Sequence, residues 1–292
     1  MDFDPELHMQ YSCSQWCPGM TADLAIANHI KVLSEKSIDN MKNLQHETKY
    51  YAGMNSTEEN RFHFFHSNKI SKKLIIFIHG GYWQLLDLDS SVFLANFFVE
   101  KNCNFASIGY NLCPSVSMKT ILVEIRKGLK AIIDSYPEID EIYLSGHSCG
   151  AHLALMAIIF DGFENELSLS KDDERKLKAL ILISGIYDIR PLCQTGENIN
   201  LKLSLEDAWK FSPIRCIDRI EKFAPEFRVL VFVAEFDSPA FKEQADKFIN
   251  KIINYVKSEK YLIINKDHFS LINDIGEKDY LINNIILDFL RL

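Results

Sequence analysis

Residues 142–153 read IYLSGHSCGAHL, and the fold follows from how that stretch is parsed. An apolar run, Ile142 to Leu144, breaks into Gly146-His147-Ser148-Cys149-Gly150 and resumes as an apolar segment through Phe160. The pentapeptide is a GxSxG motif. A strand that turns straight into a helix strains the backbone at its central residue and crowds the neighbours, so glycine is required two positions to either side. A helix beginning near Cys149 would aim its free N–H groups and positive dipole end at Ser148, where a developing oxyanion could be stabilised. Ser148 is therefore a candidate nucleophile; the plainer reading of the same residues is a tight strand-to-helix turn.

Working outward, short apolar runs at 61–66, 73–78, 105–110, 141–144, 177–184, 228–234 and 260–264 predict strands. Between them, apolar residues recur at helical intervals. Met118, Ile121, Leu122, Ile125, Leu129, Ile132 and Ile133 define one amphipathic crossover, and helices are also expected at 151–160, 241–256 and 279–290. Buried strands alternating with helices predict an α/β architecture, a mostly parallel sheet covered on both faces. Residues 1–60 are expected to form an arm carrying a helix over 23–44, with Leu24, Ala27, Ile30 and Leu33 on one face. Residues 171–176 (KDDERK) are expected as a solvated loop, and 186–222, punctuated by Pro191, Gly196 and Pro213, as an inserted helical lid. The whole of 1–292 is expected to be a single domain.

With 292 residues and 47% hydrophobic content, the chain can build a sizeable core. A net charge of −8 argues against nucleic acid or an anionic membrane as the main partner. The opening MDFDPELHMQYS is acidic and has no cationic leader, and no apolar run approaches the ~18 residues of a membrane helix. A cytoplasmic location is expected. Seven scattered cysteines suit a reducing compartment, and the CxxxC of Cys13 and Cys17 lacks partner ligands for a metal.

A serine nucleophile needs a base. In α/β hydrolases the order along the chain is serine, acid, histidine, each following a strand. Only His152 and His268 follow Ser148. His152 sits one helical turn into the elbow helix, where its ring packs against the preceding turn, which leaves His268 as the base. For the acid, Asp237 after RVLVFVAEF is preferred to Asp188 after SGIY, with Glu235 a third candidate. The oxyanion donors are expected from the Cys149 main chain and from Gly81 and Tyr82 in HGGYW (79–83), where esterases carry HGGG. Tyrosine in place of the third glycine disfavours loop shapes that need positive φ at Tyr82. His79 is expected to fasten this loop, and Cys149 to contribute its N–H, not its thiol.

These motifs resemble the kynurenine formamidase (arylformamidase) family, within the hormone-sensitive-lipase-like branch of the α/β hydrolases. HGGYW resembles that family's HGGxW loop, and GHSCGAHL (146–153) its GHSAGAHL elbow. YSCS (11–14), YNLCP (110–114), LSLEDAWKFSP (203–213), FDSPAF (236–241) and DHF (267–269) are further matches in the family's order. The resemblance implies hydrolysis of N-formyl-L-kynurenine to L-kynurenine and formate in tryptophan catabolism, by Ser148, Asp237 and His268, without metal or organic cofactor. The implied partner is a small-molecule substrate, with neither nucleic acid nor membrane, and a homodimer is an assembly the reading allows. Tyr82 and Trp83 would fill the space beside a formyl group. Tyr187, Phe236 and Phe269, next to strand ends, would flank the aryl amine, and residues 190–202 would set selectivity. Two alternatives stay open: a general carboxylesterase with the same catalytic residues, and an inactive hydrolase fold that serves as a binding module.

Overall fold

The computed structural model describes residues 3–51, 57–163 and 167–292. Residues 52–56 of the expected arm lie outside these, as do 1–2 and 164–166. One eight-stranded sheet organises the chain, in the order β1-β2-β4-β3-β5-β6-β7-β8. The strands are β1 (His46–Tyr50), β2 (Arg61–Phe65), β3 (Lys73–Ile78), β4 (Asn104–Ile108), β5 (Glu141–His147), β6 (Leu177–Ile183), β7 (Arg228–Ala234) and β8 (Lys257–Ile263). β1 and β2 are antiparallel additions at one edge, and β3 to β8 run parallel.

The apolar runs are continuous because the sheet is covered twice. Along β3, Leu74, Ile76 and Ile78 face a core shared with the Met118–Ser135, Cys149–Ile159 and Pro239–Ile252 helices. Ile75 and Phe77 point the other way, into a core shared with the Ala95–Glu100 and Leu281–Leu290 helices. This two-residue alternation lets one strand serve two layers, so polarity cannot alternate along it. The elbow helix, Cys149–Ile159, is buried on every side, which explains its unbroken apolar composition.

Three expectations about the elements are corrected. The stretch HETKY at 46–50 is the edge strand β1, not part of a helical arm. Its polar residues are tolerated because an edge strand has one pairing partner and an open flank. Residues 171–176 form a helical turn, Lys171–Lys176, started by a reciprocal capping box between Ser170 and Asp173. The Ala22–Asn43 helix forms as expected but buries Ala25, His29, Leu33, Ser37 and Asn40, while Leu24 and Ile30 remain largely exposed. Beside Leu33, small and polar side chains make this contact because hydrogen bonds help to hold it: Asn40 Nδ2 donates to the Val92 carbonyl at 2.8 Å.

Residues 186–222 consist of short helical pieces over Arg190–Gln194, Asn198–Leu201, Leu205–Lys210, Pro213–Arg215 and Ile217–Phe223. They pack on the elbow-helix face of the sheet through Ile189, Leu192, Ala208, Ile217 and Ile220. No helix among the described residues is long and apolar enough to cross a membrane.

Candidate active site

The elbow forms where β5 ends. Ser148 has φ 56° and ψ −123°, and its N–H donates to the Ile183 carbonyl at the end of β6, 2.8 Å away. A non-glycine residue held there carries strain of about 1–3 kcal/mol, which the packed surroundings offset. The flanking glycines are demanded by backbone approach. A Cβ on Gly146 would meet the Gly150 carbonyl oxygen at 2.2 Å, and one on Gly150 would meet that of Ile78 at 2.1 Å. The motif thus wedges the start of the helix against the end of β3.

Asp237 and His268 follow β7 and β8, and the structure brings them together: Nδ1 of the imidazole lies 2.6 Å from Asp237 Oδ1. The second carboxylate oxygen accepts from the Ala234 N–H at 2.9 Å and from the Ser184 hydroxyl after β6. The His268 carbonyl accepts from His147 Nε2 at 2.8 Å, which fixes the main chain carrying the ring. Ser148, Asp237 and His268 are 4%, 1% and 2% exposed. Burial alone would disfavour the charged ring, but Cys13 and Asp237 outweigh it and push His268 upward. His29 and His147 shift the opposite way, chiefly through burial, His29 to about 4. Of the three imidazoles on this cleft, His268 is thus the one that readily holds a proton.

Ser148 and His268 both line a cleft of about 280 Å³. Ser148 Oγ makes no hydrogen bond among the described residues, so its contact with the imidazole is open here. Such contacts are commonly loose before substrate binds and tighten in the complex.

The other acid candidates are committed elsewhere. Asp188 pairs with Arg190 at 2.6 Å, and Glu235 accepts from the Asn265 N–H at 2.8 Å. His152 is buried, its Nε2 2.7 Å from the Phe211 carbonyl. His79 stacks on Tyr110 with ring centroids 4.2 Å apart and fastens the loop between β3 and Gly81.

Contrary to expectation, that loop does take positive φ without the third glycine, 50° at Tyr82 and 59° at Trp83. Side-chain contacts hold the conformation: Tyr82 Oη donates to the Tyr11 carbonyl at 2.5 Å, and the Trp83 N–H donates to Cys149 Sγ at 3.3 Å. The Gly81, Tyr82 and Cys149 N–H groups have no main-chain acceptor among the described residues, and the Tyr82 N–H, like that of Trp83, faces the Cys149 sulfur. Burial pushes the Cys149 thiol up to about 12, so its sulfur serves as a neutral prop under the loop.

The aromatic wall is smaller than expected. Tyr82 and Phe269 line the cleft, whereas Trp83, Tyr187 and Phe236 do not. Trp83 is fully buried edge-on to His152, and Tyr187 stacks on Phe248 at 3.9 Å within the core. Phe236 is held off the cleft by the turn that aims Asp237 inward, its N–H donating to the Lys266 carbonyl. Their places are taken by the arm, which contributes Cys13, Ile26, His29 and Ile30, and by Glu197 and Asn200. The match YSCS at 11–14 was the one sequence signal that this arm reaches the site.

Residues 63–260 match the family described as BD-FAE. A kynurenine formamidase of Danio rerio is 31% identical over 97% of this chain and 94% of its own length. The chain belongs to the kynurenine formamidase family. A second member, from Salmo salar, is 30% identical over 97% of this chain and 95% of its own. Among solved structures, a Silicibacter sp. protein provisionally described as a thioesterase aligns over 96% of this chain and 98% of its own, with a TM-score of 0.77 at 24% identity. An arylesterase aligns over 100% and 99% with a TM-score of 0.68 at 16% identity. These two likenesses give the α/β-hydrolase fold, and the kynurenine formamidase relatives give the family.

Proposed function

We propose that this chain is an arylformamidase that hydrolyses N-formyl-L-kynurenine to L-kynurenine and formate. The observation that carries the proposal is the buried Asp237–His268 pair on the same cleft as the strained Ser148, in a chain matched over nearly its full length by kynurenine formamidases. Ser148 Oγ attacks the formyl carbon while His268 Nε2 takes its proton. The tetrahedral oxyanion accepts from the N–H groups of Gly81, Tyr82 and Cys149. The C–N bond then breaks, the arylamine leaves with the proton from His268, and a formyl ester remains on Ser148. Water, deprotonated by His268, hydrolyses that ester to formate and restores the serine. Asp237 keeps the Nδ1 proton in place and stabilises the imidazolium in both halves.

The test is a ratio of kcat/KM values for N-formyl-L-kynurenine and a short-chain nitrophenyl ester. A preference for the formamide is expected; a strong preference for the ester would assign a carboxylesterase, and turnover of neither would assign a binding module. The cleft is formed within one chain, so turnover in a monomer or a homodimer is equally compatible with the reading. A cytoplasmic location is supported by seven free thiols, six of them buried.

A further inference from the structure

The reaction as written leaves one charged side chain of the cleft without a task. Glu197 lies in the 190–202 stretch and lines the same cleft as Ser148 and His268. It is the one carboxylate in that lining, which includes no lysine or arginine among the described residues. Its position is fixed by a relay of amides. Asn200 Nδ2 donates to Gln84 Oε1 at 2.8 Å, which orients the Gln84 amide group. Gln84 Nε2 then donates to the Glu197 main-chain oxygen at 3.2 Å and to Oε2 at 3.3 Å. The other carboxylate oxygen, Oε1, accepts no hydrogen bond among the described residues. A half-buried carboxylate pinned on one oxygen and free on the other, in a wall without lysine or arginine and with His8 as its basic neighbour, is arranged to receive a cation from outside.

We infer that Glu197 binds the α-ammonium group of the substrate's amino-acid side chain and makes the enzyme selective for aryl formamides that carry a free ammonium. The inference rests on the arylformamidase reading and assigns it a specificity residue. Gln84, which follows the oxyanion loop, couples this subsite to the reacting carbon: the loop that binds the oxyanion also steadies the carboxylate that binds the far end of the leaving group. The substrate's own carboxylate meets no lysine or arginine on this lining, so discrimination falls on the ammonium.

The experiment compares N-formyl-L-kynurenine with its desamino analogue, which has hydrogen in place of the ammonium, on wild type and on Glu197→Gln. Wild type is expected to prefer the ammonium substrate by about 10- to 100-fold in kcat/KM, mainly through KM, the scale of a hydrogen bond to a charged group. Glu197→Gln should lose most of that preference, read as the ratio of kcat/KM for the two formamides within the variant, with thermal unfolding as the check that it is folded. Equal kcat/KM for the two formamides in wild type would overturn the inference with no variant needed. So would an undiminished preference in Glu197→Gln. If wild type cleaves a nitrophenyl ester but neither formamide, the arylformamidase reading falls and takes this inference with it, whereas cleavage of both formamides at equal efficiency removes the role of Glu197 alone.

Discussion

Replacing Asp237 with asparagine tests the centre most sharply, because the structure dictates how the new side chain must sit. The carboxylate serves three donors: His268 Nδ1–H on one oxygen, and the Ala234 N–H and Ser184 hydroxyl on the other. Asparagine has a single acceptor oxygen. Turned toward His268, it would set its NH₂ against the Ala234 N–H and strand a buried main-chain donor, at a cost of about 1–3 kcal/mol. Turned toward Ala234 it avoids that cost, and the NH₂ then faces Nδ1. The ring must answer with a lone pair at Nδ1, which moves its proton to Nε2, the atom that has to accept from Ser148. The penalty on the first orientation corresponds to roughly 5- to 150-fold in population, so most molecules hold the wrong tautomer. With the loss of imidazolium stabilisation, kcat should fall by about 10⁴-fold, the size of this tautomer error in Ser-His-Asp hydrolases. The assay is steady-state kcat on the formamide, with thermal unfolding as a check on the fold. A loss of less than about tenfold, or an equal loss in Asp188→Asn, whose carboxylate is tied to Arg190, would refute the assignment.

Ser148→Ala should lower kcat by about 10⁵- to 10⁶-fold with the fold intact, and residual activity within tenfold of wild type would exclude this serine. His268 is held above its ordinary range and must be neutral to act as a base, so kcat/KM should fall on the acid side with an apparent pKa above about 6.5. A rate flat down to about pH 5 would contradict a histidine base. Gly150→Ala should yield little soluble protein, since its Cβ would stand 2.1 Å from a main-chain oxygen; a stable, active variant would show that β3 and the elbow helix can separate. His29, His79 and His152 are each held near 4 by burial, so they stabilise the fold above their unfolded pKa of about 6.5 and lose that contribution as the pH falls toward 4. At pH 5 this amounts to about 2 kcal/mol each, and a melting temperature unchanged between pH 7 and pH 5 would exclude it.

The parts of the molecule that announce themselves in sequence are those where local chemistry has a single solution. KLIIFI and RVLVFVA have strand ends that match the structure because a strand buried on both faces has no polar positions to blur its limits. GHSCG could be read because Gly146 and Gly150 answer backbone clashes that no other residue avoids. His268 emerged from chain order, Asp237 was preferred to Asp188 and Glu235 by its place after the penultimate strand, and the structure sets the two 2.6 Å apart. What stayed hidden depends on contacts between distant segments. HETKY has no alternation, so β1 is defined by its pairing with β2 and by nothing within itself. Positive φ at Tyr82 is held by a hydrogen bond to Tyr11, 71 positions away. Trp83 and Tyr187 sit beside strand ends as wall residues would, yet both turn into the core, a choice made by the packing of His152 and Phe248.

The cleft is closed by segments that lie far apart along the chain. Tyr82 holds the Tyr11 carbonyl, Gln244 donates to the Tyr11 hydroxyl, and His29 meets Asn273 across 244 positions of chain. At a synthesis rate of roughly 5–20 residues per second, those last two partners emerge roughly 12 to 50 s apart. The first-made wall must therefore wait, unpaired, until residue 273 has been made. On the proposed mechanism a product ending before residue 237 would carry Ser148 and the loop of Gly81 and Tyr82 but neither Asp237 nor His268, so such a truncation is expected to be inert rather than a weakened hydrolase.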